Sequence, residues 1–378
     1  MKVKVSILIP AYNVAPYIRQ CLNSVCCQTL KEIEIIIVND GSTDNTLQII
    51  KEFAEQDKRI IVIDKKNGGY GIAMNIAASH AKGEYIGIVE PDDYVSYDMF
   101  ETLYEKAHEF DLDFVKADFY RFAKDQTTGD IFYKLHKLSI NNEDYNIIFN
   151  PGKKLESLRW LINTWSGIYR KSFIDQFQIV HNETPGASFQ DNGFWFQTFV
   201  YGKKAMILDT PLYRNRRDNP NSSIKDKSKI YSINIEYDYI RNKIEKNTEL
   251  WNRVKGYYWL KKWENYNFTL QRIDESAKEE YIKTISNEFN EAEKHKEIDF
   301  TLFDNNQKKL IQLLITDYAK FYETIKKDVP PASLSIIDEL LLKNKQLKQL
   351  KESETFKIGS FITYLPRKFK NLIKIIFK

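Results

Sequence analysis

The chain has 378 residues, 43% of them hydrophobic and 14% aromatic, with 56 lysines and arginines against 52 aspartates and glutamates. This composition excludes a disordered chain, and the length is enough for one catalytic-size domain plus an addition. A net charge of only +4 gives no global case for nucleic acid, and the lack of any run of about 18 apolar residues excludes a helix that spans a bilayer.

In chain order, MKVKVSILIP offers an apolar stretch too short for a signal peptide and no small-residue cleavage site, which predicts a cytoplasmic chain. Short β-branched runs predict strands at 3–9, 33–39, 59–64, 84–90 and 113–118, and helix-like segments lie between them at 16–29, 44–56, 70–81 and 98–109. Strands alternating with helices argue for a parallel sheet covered on both faces. Cys21, Cys26 and Cys27 lie in one helix-like segment with no CxxC and no neighbouring His, which reads as packed, reduced thiols. From about residue 225 the texture becomes aromatic and charged at helical spacing, through 230–247, 250–273, 275–295 and 305–327, which predicts an all-α addition.

Pro330-Pro331 interrupts the pattern, and 334–354 reads as one more amphipathic helix, too poor in leucine for a sustained coiled coil. In 356–378, Phe369, Leu372, Ile373 and Ile376 share one helical face, and Arg367, Lys370, Lys374 and Lys378 the opposite one. That is the pattern of a helix lying in an anionic membrane surface; docking onto the body of the protein and contact with nucleic acid are the competing readings.

Three polar clusters fall at successive strand ends, where an open α/β sheet holds its ligand: Pro10-Ala11-Tyr12-Asn13, Asn39-Asp40-Gly41-Ser42-Thr43-Asp44 and Glu90-Pro91-Asp92-Asp93. The second also reads as a turn with Thr43 or Asp44 capping the helix that follows. GGYGIAMN at 68–75 contains a Gly-x-Gly spacing, but it follows the third strand, and the first βα turn carries no glycine, which argues against a dinucleotide fingerprint. In IVEPDDYV an apolar run ends in three carboxylates around a proline. Such crowding costs free energy unless water or a cation sits among them.

The ordered segments VSILIPAYNVAPYIRQCLNSVCCQTLKEIEIIIVNDGSTDNT, NGGYGIAMN and GEYIGIVEPDDYV resemble the N-terminal domain of the family 2 glycosyltransferases, closely over about 3–110 and more loosely to about 223. The resemblance implies an α/β GT-A fold: a Rossmann-like nucleotide-sugar half at 1–118 and an acceptor half at 119–223 sharing a mixed central sheet. A helical region at 224–330 and an amphipathic helix with basic tail at 331–378 then follow. It implies that Pro10, Tyr12, Asn13, Asp40, Asn67 and Asn75 hold the nucleotide, with Tyr12 packing on the base and Asp40 accepting from it. Asp92 and Glu90 stand in the metal motif, for Mn²⁺ or Mg²⁺, with Glu90 in place of the usual aspartate. Asp93 either orients the donor sugar or caps the next segment. Met74 stands where the family often has arginine, so a cation is missing there.

In the second half, TWSGIYRKSFIDQFQIVHNETPGASFQDNGFWFQTFV resembles the family's acceptor region. Asp191, in a Gln190-Asp191 pair replacing the usual Glu-Asp, is implied as the general base. An N-cap role for Asp191 is the alternative, and Glu183 is the second candidate base. His181 is left unassigned. Trp165 reads as the acceptor floor or as core. Within PLYRNRRDNPNSS, Arg216 falls on the family's arginine, and Arg214 and Arg217 are positioned to replace the missing charge at the diphosphate; a solvated basic turn is the plain alternative.

The activity implied is inverting, metal-dependent transfer of a hexose or N-acetylhexosamine from a nucleotide sugar, with UDP expected, to a hydroxyl of a surface glycan or its lipid-linked precursor. The protein would be peripheral at the inner face of the plasma membrane, contact no nucleic acid, and have a helical region available for self-association. A sugar-nucleotide pyrophosphorylase would need a glycine-rich loop after the first strand, which PAYNVAP lacks. A glycan-binding protein on a decayed transferase is kept open by Met74, Glu90 and Gln190.

Overall fold

A computed structural model describes residues 2–125, 128–222 and 229–327. The first of two compact units takes in residues 1–121 and 135–329. It opens with β1 (Val5–Ala11), α1 (Ala15–Cys26), β2 (Ile33–Asp40), α2 (Thr46–Gln56), β3 (Ile60–Lys65), α3 (Tyr70–His80) and β4 (Tyr85–Ile88). These strands pair in parallel, and every residue of β1, β2 and β4 is buried, which explains their near-continuous apolar runs. Register fixes the site: Ala11 lies level with Asn39, and Asp40 with Lys65, so Tyr12 and Asp40 leave the sheet at the same carboxyl edge.

The chain continues through β5 (Tyr94–Val95), α4 (Met99–Glu109), β6 (Phe114–Lys124), β7 (Ile131–His136), β8 (Gly167–Arg170), α5 (Lys171–Gln176), α6 (Gln190–Tyr201) and β9 (Ala205–Arg216). Strand order along the main path is β3-β2-β1-β4-β8-β6-β9-β5. The predicted strand at 113–118 is therefore not the neighbour of β4. Four-residue β8 runs antiparallel between them, which makes the sheet mixed.

Helices α7 (Ser232–Ile244), α8 (Thr248–Leu270), α9 (Glu275–Lys294), α10 (Asn305–Thr316) and α11 (Tyr318–Lys327) complete the described chain. The pattern at 305–327 predicts one run, but Asp317 leaves helical geometry at φ −155° and its carboxylate accepts from the Lys320 amide at 2.9 Å, starting a new helix. The shift in composition near 224 is no break in packing, because α7–α11 fall in the same compact unit as the sheet. Trp251, Tyr258, Trp259, Trp263 and Tyr266 of α8 are all buried, so these five aromatic residues serve as core.

The second unit joins residues 122–134 to 330–378. In its described part the chain turns back from the end of β6 into β7, and Phe122 stacks on Tyr133 with ring centroids 6.0 Å apart. The predicted helix at 334–354 and basic tail at 356–378 lie outside the described residues. All three cysteines are free thiols, but packing as expected holds best for Cys21; Cys27, at the end of α1, is exposed.

Candidate active site

The first two polar clusters are laced together. Asn13 adopts a left-handed conformation at φ 50°, its Oδ1 accepts from the Thr43 amide at 2.8 Å, and its own amide donates to Ser42 Oγ at 3.0 Å. Asp44 does not cap α2 from the N-cap position, which is Asn45. Its carboxylate accepts from Thr46 N at 3.0 Å and Ala15 N at 3.1 Å, serving the starts of both α1 and α2. Pro10 is buried within β1, whereas Tyr12 beyond it is 49% exposed, an aromatic face open at the sheet edge.

Asp40 is 4% exposed and held from several sides. Its Oδ1 accepts from Gly68 N at 2.9 Å and from Lys65 Nζ, its Oδ2 from Gly69 N at 2.8 Å, and its carbonyl from Asn67 Nδ2 at 3.1 Å. Lys65 was not picked out from sequence, although the parallel register puts it level with Asp40. Met74 is 1% exposed and fills core, and Lys65 brings a cation to Asp40 at this end of the crevice.

The third cluster is fastened to β9. Asp93 is 1% exposed, and its carboxylate accepts from Tyr213 OH at 2.8 Å, Asn215 Nδ2 at 3.0 Å and Arg216 N at 2.6 Å. This corrects the donor-sugar expectation: Asp93 is a buried tie that positions its neighbours. Asp92 and Glu90 are half-buried. Asn219 donates to Asp92 Oδ2 at 2.9 Å, and Tyr70 OH donates to Glu90 Oε1 at 2.8 Å. Arg216 reaches beneath the loop, donating to the Asp92 carbonyl at 2.8 Å and to Gln20 Oε1 at 2.6 Å, with its guanidinium 4.7 Å from the Tyr17 ring centroid. Arg214 lies over the Tyr120 ring at 5.2 Å and donates to the Pro211 carbonyl, so it does not join the diphosphate cluster as expected. Alternation along an extended strand puts Tyr213, Asn215 and Arg217 on the side facing Asp93 and Arg214 on the other.

The acceptor side meets this crevice through the loop before α6. Asn75 brackets His181, accepting from its amide at 2.9 Å and donating to its carbonyl at 3.0 Å, and also donates to Glu183 at 3.0 Å. In this structure Asn75 thus holds the acceptor loop. The glycines of GGYG now have a physical reason: a Cβ on Gly71 would lie 1.9 Å from the Asn182 carbonyl oxygen, and one on Gly69, which sits at φ 101°, would lie 2.7 Å from the Thr184 carbonyl oxygen and 2.8 Å from Gly186 N. Phe189 takes the N-cap position of α6, which puts Asp191 inside the first turn and removes the capping alternative. Gln190 ties the loop by donating to Thr184 Oγ1 at 2.8 Å. Trp165 is half-buried, its ring 4.4 Å from Tyr213 and 4.6 Å from Phe119.

Electrostatics gather the carboxylates. Burial first, then repulsion from Asp92 and Asp191, pushes Glu90 up to about 8, against the Tyr70 hydrogen bond. Burial pushes Asp191 to about 6, while its own and the Asn192 backbone donors pull it down. Asp92 is also raised, chiefly by burial, with Asn219, Arg216 and Arg217 opposing. Glu236 on α7, absent from the sequence expectations, is pushed to about 8 by burial, and the charge of Asp191 adds to the shift. Asp191 therefore lies within electrostatic reach of both Glu90 and Glu236.

Among the described residues no group of three or more His, Cys, Asp or Glu is arranged to hold a metal. What is present is a pair of hard, mutually repelling carboxylates, Glu90 and Asp92, each with one oxygen already accepting from a neutral donor. Such a pair fits a cation whose remaining ligands come from outside the protein.

The sequence model described as "Glycosyl transferase family 2" matches residues 6–177. The chain is 36% identical over 223 residues to the uncharacterized glycosyltransferase EpsJ of Bacillus subtilis, covering 58% of this chain and 62% of EpsJ, so it spans under two thirds of that relative's length. It is 33% identical over 219 residues to the glycosyltransferase GlyG of Streptococcus pneumoniae, covering 56% of this chain and 70% of GlyG. Among solved structures, residues 1–349 of S. aureus TarS in complex with UDP superimpose with a TM-score of 0.63 at 17% identity, over 86% of this chain and 92% of that one. The strand order, the mixed sheet and the helices after it are thus those of a GT-A fold, and the chain belongs to glycosyl transferase family 2.

Proposed function

We propose that the protein transfers a sugar, a hexose or N-acetylhexosamine, from a UDP-sugar to a hydroxyl of a glycan or lipid-linked glycan, with inversion at the anomeric carbon. The observation that carries this reading is the convergence of Asp40, the Glu90/Asp92 pair and Asp191 at one carboxyl edge, with Asp191 close enough to raise Glu90. The UDP complex of TarS supports uridine as the nucleoside.

Tyr12 offers its exposed face to the base. Asp40 retains acceptor capacity on Oδ2 for a base N–H, because only Gly69 N donates to that oxygen. Glu90 and Asp92 would hold Mg²⁺ or Mn²⁺, which supplies positive charge beside the departing diphosphate. Arg216 fixes the loop that carries both, and Arg217 adds charge near Asp92. Asp191, at about 6, is deprotonated at neutral pH, and its carboxylate accepts the proton of the acceptor hydroxyl as that oxygen attacks the anomeric carbon. Trp165 provides an apolar face for the acceptor ring. Peripheral membrane attachment belongs to this reading through the pattern of 356–378, as do a place at the inner face of the membrane and an acceptor built there. Product analysis by NMR tests inversion: from an α-linked UDP-sugar the new linkage is β, and an α linkage overturns the single-displacement role given to Asp191.

A further inference from the structure

On the face of the sheet that carries Trp165, Arg121 is a cation to which the proposed chemistry gives no part, and Arg217 lies within its electrostatic reach. Phe119 and Arg121 share one side of β6, and Tyr213, Asn215 and Arg217 share the corresponding side of β9 and its extension. The neighbouring strands are aligned there by the Arg214 guanidinium over the Tyr120 ring. The Arg121 guanidinium lies 5.9 Å from the Phe119 ring centroid, and Phe119 in turn packs on Trp165. Arg121 Nε is buried without a hydrogen-bond partner. Burial first, then repulsion by Arg217, holds Arg121 down at about 10, whereas Arg217 is itself drawn toward Asp93 and Asp92. A buried donor and a like-charge pair each cost free energy that an anion between them would recover. For Arg121 the donor diphosphate is a poor candidate, because β6 is separated from β4, whose end carries Glu90 and Asp92, by the intervening β8.

We propose that the acceptor carries an anionic group, a phosphate or a carboxylate, which Arg121 and Arg217 receive on the far side of Trp165. The inference rests on the transferase reading and on Trp165 as acceptor floor, and it names the chemical class of the acceptor.

The test is ligand-observed NMR on UDP-saturated full-length protein with two matched pairs of probes: p-nitrophenyl β-D-glucuronide against the β-D-glucoside, and glucose 6-phosphate against glucose. At least one charged probe should bind about tenfold more tightly than its neutral partner, the worth of one charge-assisted hydrogen bond. In Arg121→Gln and in Arg217→Gln that advantage should fall below about twofold, while Arg121→Lys, which keeps the charge but not the planar fork, should retain part of it. The two arms distinguish carboxylate from phosphate. If Arg121→Gln melts early, Arg217→Gln gives the same readout. Equal affinities within both pairs, an advantage that survives in both Gln variants, or displacement of the charged probe by UDP would overturn the proposal. The last result would assign the cations to the donor. Failure of UDP itself to bind would overturn the transferase reading together with this one, and is distinguished by that readout.

Discussion

Glu236 Oε1 accepts the Gly193 amide at 2.9 Å, so a carboxylate of the helical region fastens the turn that carries Asp191. Its Oε2 accepts from Asn182 Nδ2 at 3.1 Å, which ties the acceptor loop to the same point. Gly193 is needed for this approach, since a Cβ there would lie 2.3 Å from Glu236 Oε1. The helices after the sheet thus act on the site through a named contact.

Glu236→Ala leaves a buried amide unpaired, at a cost of about 1–3 kcal/mol, and frees the turn of Asp191. Turnover should fall while UDP affinity, measured by calorimetry, stays within about twofold; equal loss of both would mean that the contact only supports the fold.

The same residue sets a pH dependence of stability. Glu236 at about 8 lies above its ordinary 4.5, so its contribution is fully present below about 4.5 and is lost as pH rises through about 8. Glu90, also at about 8, acts in the same direction. Thermal melts between pH 5 and 9 should therefore show stability falling with pH. Glu236→Gln should flatten that slope, and a slope unchanged in this variant would contradict the assignment.

Asp191→Asn should retain UDP binding and lose transfer by roughly 10² to 10⁴-fold. In the parent protein kcat should fall as pH drops through about 6, where Asp191 takes up its proton, and that acid limb should be missing from the residual activity of the variant. Full activity in Asp191→Asn would move the base role to Glu183, whose carboxylate is held by Asn75 at 3.0 Å.

Deletion of 356–378 should release the protein from anionic liposomes, and added salt should weaken the parent's binding, since its electrostatic part is screened over about 8–10 Å at ordinary ionic strength. Phe369→Ser with Ile373→Ser, which keeps every charge, should weaken it as well. A truncated protein that still floats with liposomes would contradict this attachment.

The parallel half of the sheet was legible because β1 and β2 are buried throughout and so read as unbroken apolar runs. In the antiparallel half β6 was legible in part, as 113–118, whereas β8 has only four residues and β5 two, too few for a periodic signal. Motif residues were legible at the strand ends, but the groups that hold them come from distant chain. Tyr70 reaches Glu90, Tyr213 reaches Asp93 across 120 residues, and Glu236 reaches Gly193. No local spacing announces such pairs; Lys65 alone could have been found, by counting the parallel register from Asp40. Arg214 and Arg217 could have been told apart by strand parity once β9 was known.

If this crevice binds a nucleotide diphosphate at the Glu90/Asp92 pair, titration of UDP into the full-length protein by calorimetry, with and without Mn²⁺, shows it directly. The account predicts binding that Mn²⁺ strengthens and an Asp92→Asn variant in which the metal's effect is lost, since that change removes a hard anionic ligand while keeping the shape. No UDP binding at all, or a metal effect of the same size in well-folded Asp92→Asn, would contradict it.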